Sequence, residues 1–198
     1  LIRKYGFNNL KQWAAEGQYE YPKAIQYGGN CLQPGPDLLL NWLDKTLEGV
    51  NKVWAVDLHT GLGPSGYDTL LVSAGMGEEE FTHLNKLFPG HVEGLDPNAG
   101  VGYEIVGDLH QGLVDRYDRI KWIAITQEFG TFKPIQVLQA LRTENRWTQC
   151  GKYMTELEGR RHWSREQLLR TFNPKDVVWQ YKITSRGRFV FNAARQDL

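Results

Sequence analysis

Short runs of apolar residues alternate along the chain with longer segments whose apolar residues recur at helical spacing. Strands are predicted at 52–58 (KVWAVDL), 69–75 (TLLVSAG), 103–106 (YEIV) and 121–129 (KWIAITQEF). Helices are predicted at 1–16, 38–49, 78–88, 108–118, 134–147 and about 155–171, followed by a last helical or mixed segment at 174–196. This order indicates an α/β fold, a mixed, mostly parallel sheet with helices on both sides.

Several boundaries carry local signals. Asp37 is the predicted N-cap of the helix at 38–49, and Pro134 lies in the first turn of its helix. The apolar run at 52–58 is typical of a central strand. The glycine-rich and proline-rich segments 17–36 and 89–102 are predicted loops. With 198 residues and no long linker, the chain is predicted to form a single domain over 1–198.

Two predicted strands end in residues that can do chemistry. WAVDLHTGLG (54–63) carries Asp57 and His59, and WIAITQEFGT (122–131) carries Glu128. Ligands of open α/β sheets bind at the carboxyl ends of strands, where His can bind a metal and Glu can act as a general base. Asp57 and His59 are two residues apart, so they can lie on one side of the strand. The glycines that follow would let the backbone approach a ligand closely.

A purely structural explanation of these residues is also open. A single histidine at a strand end is commonly a hydrogen-bonded structural residue, and a single glutamate after a strand is usually solvated. Asp57 could accept hydrogen bonds from the loop at 61–66 or fix the tautomer of His59. The residue types alone do not separate these alternatives.

The two strings DLHTGLGPSG and TQEFGT, about seventy residues apart, resemble the zinc carboxypeptidase superfamily. Within it they are most similar to a bacterial-type metallopeptidase branch related to the succinylglutamate desuccinylases and aspartoacylases. The resemblance implies a phosphorylase/hydrolase-like zinc carboxypeptidase fold. It also implies that the chain is the C-terminal part of a catalytic domain whose N-terminal part is missing.

The resemblance assigns roles to individual residues. It implies that His59 is the third zinc ligand and that Glu128 is the general base and acid. Thr60, beside the ligand histidine, would line the substrate cleft, and Tyr103 would be the tyrosine that meets the substrate. The implied substrates are a small peptide or an N-acyl amino acid, and the implied cofactor is Zn²⁺.

The superfamily's other two zinc ligands come from an upstream H-x-x-E motif, which this sequence lacks. None of the remaining histidines (His83, His91, His110 and His162) has a glutamate three residues later. The nearest alternative is the pair His91 and Glu93, two residues apart in a predicted loop. The superfamily's substrate-binding Asn-Arg pair is expected upstream and is also missing. Asn145-Arg146 matches the dipeptide, but it follows Glu128 and lies on a predicted helix.

One histidine cannot hold a catalytic zinc, which needs three protein ligands. Either an upstream segment supplies the others, or the chain is a metal-free binding or structural domain that has lost the site. The first residue is Leu1 rather than Met, which favours the first explanation. In both cases the isolated chain is predicted to be inactive, and its own N-terminal segment is a candidate partner.

Composition narrows the partners. Lys plus Arg and Asp plus Glu both number 23, so no basic field favours a nucleic acid or an anionic membrane. The two cysteines, Cys31 and Cys150, favour a reducing, cytoplasmic compartment. They also have no histidine motif of a thiol nucleophile, and G-x-S-x-G is absent, which disfavours cysteine and serine hydrolases. GLGPSG lacks the Lys-Ser/Thr of a phosphate loop.

Overall fold

The computed structural model describes residues 12, 16–72, 76–94, 107–151, 158–159 and 161–198. Most of the predicted helix at 1–16, the end of the strand at 69–75 and the whole strand at 103–106 lie outside these residues. The helices are α1 (Pro34–Thr46), α2 (Glu78–Leu87), α3 (Leu109–Arg116), α4 (Pro134–Cys150), α5 (Trp163–Phe172) and α6 (Val177–Asp197). The strands are β1 (Lys52–Gly61), β2 (Asp68–Val72), β3 (Val92–Gly94) and β4 (Lys121–Gly130).

The described strands form one mixed sheet in the order β1-β4-β2-β3. β1 runs parallel to β4, β4 antiparallel to β2, and β2 parallel to β3. The predicted α/β class with a mixed sheet is therefore confirmed. The central position expected for β1 is wrong within the described residues, because β1 lies at the edge of this sheet.

The main core lies on one face of the sheet. Ile123 and Ile125 of β4 pack there with Leu70 of β2, Leu84 of α2 and Val190 of α6. The intervening residues of β4 point to the opposite face, where the indole of Trp122 donates a hydrogen bond to the Tyr117 carbonyl just after α3. Helices thus cover both faces, as the sequence predicted.

Several predicted boundaries differ from the structure: β1 extends to Gly61 instead of ending at 58, and α5 begins at Trp163 instead of about 155. α1 begins at Pro34, with Gln33 as its N-cap, so the predicted cap at Asp37 is wrong. Proline fits the first turn of a helix, and Asp37 lies within that turn, where its charge favours the helix dipole. β3 was missed inside a predicted loop because three residues, VEG, carry no detectable periodicity.

The described helices include none with both the length and the apolar character needed to cross a membrane. Cys31 and Cys150 are both exposed free thiols.

Candidate active site

The carboxyl ends of β1 and β4 bring together the two residues that the sequence singled out. Because the strands are parallel neighbours in register, His59 lies directly opposite Glu128 on the same face of the sheet. The His59 Nδ1 atom is 3.8 Å from Glu128 Oε2. Two residues that are distant in sequence therefore form one site through a single strand pairing.

Asp57 forms a hydrogen bond with the His59 ring nitrogen that does not face Glu128. The two side chains share a hydrogen bond of 3.0 Å between His59 Nε2 and Asp57 Oδ2. This bond lowers the pKa of Asp57 and raises the pKa of His59. An ionised Asp57 only accepts hydrogen bonds, so Nε2 carries the hydrogen. In the neutral imidazole, Nδ1 then has the free lone pair, and it faces Glu128.

Glu128 is a buried carboxylate, only 5% exposed. Its Oε1 accepts a hydrogen bond of 2.9 Å from the backbone N–H of Leu62, in the turn after β1. Burial raises the pKa of Glu128, against the opposing effects of the Leu62 N–H and the charge of His59. A glutamate with a raised pKa and one oxygen directed at the site suits proton transfer.

His110, in the first turn of α3, was not singled out by the sequence. It is buried, and this burial lowers its pKa, while the charges of Asp108 and Asp57 act in the opposite direction. Its charge in turn contributes to the lowered pKa of Asp57. His110 therefore belongs to the electrostatic surroundings of the site. No sequence signal could have shown this, because the proximity arises from how α3 packs on the sheet.

The other predicted site residues fall in different places. Thr60 donates its hydroxyl hydrogen to the Phe172 carbonyl at the end of α5, at 2.7 Å, so this side chain ties β1 to α5. Its predicted contact with substrate stays a prediction. Tyr103 lies outside the described residues.

The glycine after Glu128 serves the packing of the backbone. A Cβ on Gly130 would lie 2.2 Å from the Pro64 carbonyl oxygen and 2.5 Å from Gly63. The carbonyl of Gly130 accepts hydrogen bonds from the Gly66 N–H and the Trp179 indole. The sequence argument expected this glycine to admit a ligand, whereas here it admits the turn that follows β1.

His91 and Glu93 do not join His59. β3 is three strand spacings from β1, about 14 Å across the sheet. His91 instead contacts Asp68, with its Nδ1 3.1 Å from Asp68 Oδ1, and stacks on Tyr67 with ring centroids 4.6 Å apart. Asn145 lies on α4 and donates to the Lys23 carbonyl, at 3.0 Å.

The donor set can be compared with the needs of zinc. Within the described part of the chain, no three His, Cys, Asp or Glu side chains are arranged to hold a metal ion. His59 provides one imidazole ligand and Asp57 orients it, but zinc takes three protein ligands. The described residues therefore do not hold zinc by themselves.

Fold and site together define an α/β protein with a histidine–carboxylate pair at the ends of two parallel strands. The chain matches the family described as "Protein of unknown function (DUF2817)" over residues 1–186, and it belongs to that family. Comparisons with curated proteins and with solved structures gave no match.

Proposed function

We propose that this chain forms part of a zinc-dependent hydrolase of amide or peptide bonds, of the metallocarboxypeptidase or N-acyl amino acid deacylase type. One observation carries the proposal. His59 and Glu128 lie opposite each other with 3.8 Å between Nδ1 and Oε2, and burial raises the pKa of Glu128. The resemblance of DLHTGLGPSG and TQEFGT to the zinc carboxypeptidase superfamily supports the same assignment.

Each residue has a chemical role in this proposal. His59 is a metal ligand through Nδ1, and Asp57 holds the imidazole in the tautomer that leaves this atom free. Bound zinc would polarise the substrate carbonyl and acidify a water molecule. Glu128 Oε2 accepts a proton from the attacking water and delivers it to the nitrogen of the leaving amine. The hydrogen bond from Leu62 holds Oε1, so Oε2 remains directed at the reacting groups.

The other two zinc ligands must come from outside the described residues, and we propose that an upstream segment supplies them. The substrate in this proposal is a small peptide or an N-acyl amino acid. Thr60 and Tyr103 keep their predicted contacts with it. The alternative is a metal-free binding or structural domain that has lost the catalytic site.

The test begins with the complete reading frame from which this sequence comes. The proposal expects an H-x-x-E motif and an Asn-Arg pair upstream. It also expects about one zinc per protein by elemental mass spectrometry and hydrolysis of an N-acetyl amino acid or a short peptide. The 198-residue chain alone is expected to purify nearly free of zinc and to be inactive.

Three variants separate the roles within that protein. Glu128→Gln should abolish hydrolysis and retain zinc, whereas His59→Ala should lose both. His83→Ala is the matched control. His83 lies away from Glu128, and its Nε2 is 2.7 Å from Asp197 Oδ1. Unchanged hydrolysis in Glu128→Gln would refute the assigned base. A reading frame without the upstream motifs, with no zinc and no hydrolysis, would favour the binding domain.

A further inference from the structure

A groove of about 420 Å³ lies between α4 and α5. Its wall consists of Phe132, which follows β4, together with residues of α4 and of α5 from Trp163 to Thr171. Over these residues α5 advances about 12 Å, which leaves room for a short oligomer rather than a single small ring. The volume is in the range of small-molecule sites, about 300–1,000 Å³.

The inner end of the groove lies next in sequence to a residue that contacts the candidate active site. Thr171 lines the groove, and the next residue, Phe172, contacts the end of β1. A Cβ on Gly61 would lie 3.0 Å from the Phe172 ring and 3.6 Å from Glu128 Oε1.

Exposed aromatic rings line the groove. Trp163, at the outer end, is 61% exposed, and Phe132 is 42% exposed. The indole of Trp163 packs at 5.4 Å against the ring of His162, which stacks on Trp147 at 3.7 Å. Much of the Trp163 ring faces solvent, where it can stack with a ligand.

The polar lining of the groove is neutral overall. Three carboxamides, those of Gln136, Gln139 and Gln167, line the groove and can donate and accept hydrogen bonds. Gln136 Oε1 already accepts the Lys133 backbone N–H at 3.2 Å, so Gln139 and Gln167 are the carboxamides without this helix-capping bond. The charged lining residues, Glu166 and Arg170, form an ion pair with each other one helical turn apart. The two charges cancel, so the lining has no net charge to attract an ion, and a purely apolar ligand would cover the carboxamides without hydrogen-bonding them.

We propose that this groove binds a short neutral saccharide. The C–H face of a sugar ring is apolar and packs on an aromatic face, here that of Trp163, while hydroxyl and acetamido groups match the carboxamides in donating and accepting hydrogen bonds. The binding itself does not depend on hydrolysis. That the saccharide belongs to the molecule whose amide bond is cleaved rests on the proposed function.

The test measures, by saturation-transfer NMR, whether N,N′,N″-triacetylchitotriose and maltotriose bind to the 198-residue chain. Trialanine is the peptide comparator. We expect at least one saccharide to bind with a Kd of about 1 mM. Trp163→Ala should weaken that binding about tenfold, and Trp163→Phe should restore most of it. Trp42→Ala is the matched control, because Trp42 is 59% exposed on α1, and it should leave binding unchanged.

A second variant, Gln167→Ala, tests the polar lining and should weaken binding without removing the aromatic ring. Thermal unfolding followed by circular dichroism establishes that each variant is folded. Three results would overturn the proposal: no binding of either saccharide, equal loss of binding in the Trp42 control, or binding of trialanine alone. If the protein made from the complete reading frame contains no zinc and does not hydrolyse amide bonds, the proposed function is wrong, but the saccharide result still stands.

Discussion

Two buried carboxylates lie on opposite faces of the same sheet, and their surroundings differ. Asp68 of β2 is 1% exposed and accepts hydrogen bonds from Gln127 at 2.8 Å and from Arg186 at 2.9 Å. His91 Nδ1 is 3.1 Å from Asp68 Oδ1. Glu128 is 5% exposed and accepts one hydrogen bond, from the Leu62 N–H, while its nearest charged partner, His59, is 3.8 Å away.

This difference separates a structural carboxylate from a candidate catalytic one. The partners of Asp68 join β2, β4 and α6, so its charge is compensated in the interior and holds the C-terminal helix to the sheet. Burial raises the pKa of Glu128 because its compensation is incomplete. The ionised form of such a group is unfavourable in the folded protein, and a bound metal or an accepted proton can stabilise it. Carboxyl groups with shifted pKa values are therefore candidates for functional sites.

The largest expected effect comes from removing the structural carboxylate. Asp68→Ala leaves Arg186 and Gln127 without their acceptor, and we expect it to lower the free energy of unfolding by about 3 kcal/mol or more. Urea denaturation measures this change. Glu128→Ala is the comparison variant, expected to lose clearly less. Equal losses at the two positions would remove the distinction drawn between them.

A smaller effect, opposite in sign, is expected at Glu128 itself. Its raised pKa means that the ionised side chain destabilises the fold. This loss of unfolding free energy is absent at pH values below the usual glutamate pKa of 4.5. It grows as the pH rises through the raised pKa of Glu128 and is constant above that pKa. Glu128→Gln should therefore gain stability relative to the unmodified protein as the pH rises, by less than the loss expected for Asp68→Ala.

Unfolding in urea at several pH values checks this pH dependence. Glu80→Gln is a control of opposite sign, because hydrogen bonds to its own backbone N–H and to Lys121 lower the pKa of Glu80. It should lose a little stability as the pH rises. A flat difference between Glu128→Gln and the unmodified protein would show that burial does not penalise the ionised Glu128 carboxylate.

The smallest effect is confined to the histidine beside Glu128. Asp57→Asn keeps the shape of the side chain but removes its charge, so the pKa of His59 should fall from its raised value. NMR titration of the histidine ring protons follows this directly. Asp44→Asn, at a carboxylate paired with Arg116, serves as the control. If the His59 titration shifts equally in both variants, Asp57 does not hold the imidazole.

Much of the secondary structure could be predicted, because apolar periodicity is a local property. β4 and α2 lie within about a residue of their predicted bounds, and α6 is close to its prediction. The start of α1 and the three-residue β3 could not be predicted, since one depends on which proline begins the helix and the other has too few residues for a pattern.

The candidate site was predictable only in its separate parts. Asp57 and His59 share a face because strand residues alternate, and their hydrogen bond follows from that spacing. The Leu62 N–H, the electrostatic influence of His110 and the packing role of Gly130 were not predictable. Each depends on how a turn or helix folds back against the strand ends.

The sequence by itself placed Asp57, His59 and Glu128 near the carboxyl ends of two strands and put Asp57 and His59 on one face, because both follow from the pattern of a single strand. Only the tertiary structure decided that His59 faces Glu128, since this requires β1 and β4 to be neighbours in register. It alone decided that Asp68 is compensated while Glu128 is not. The partners of Asp68 lie 59 and 118 residues away, and long-range packing selects them.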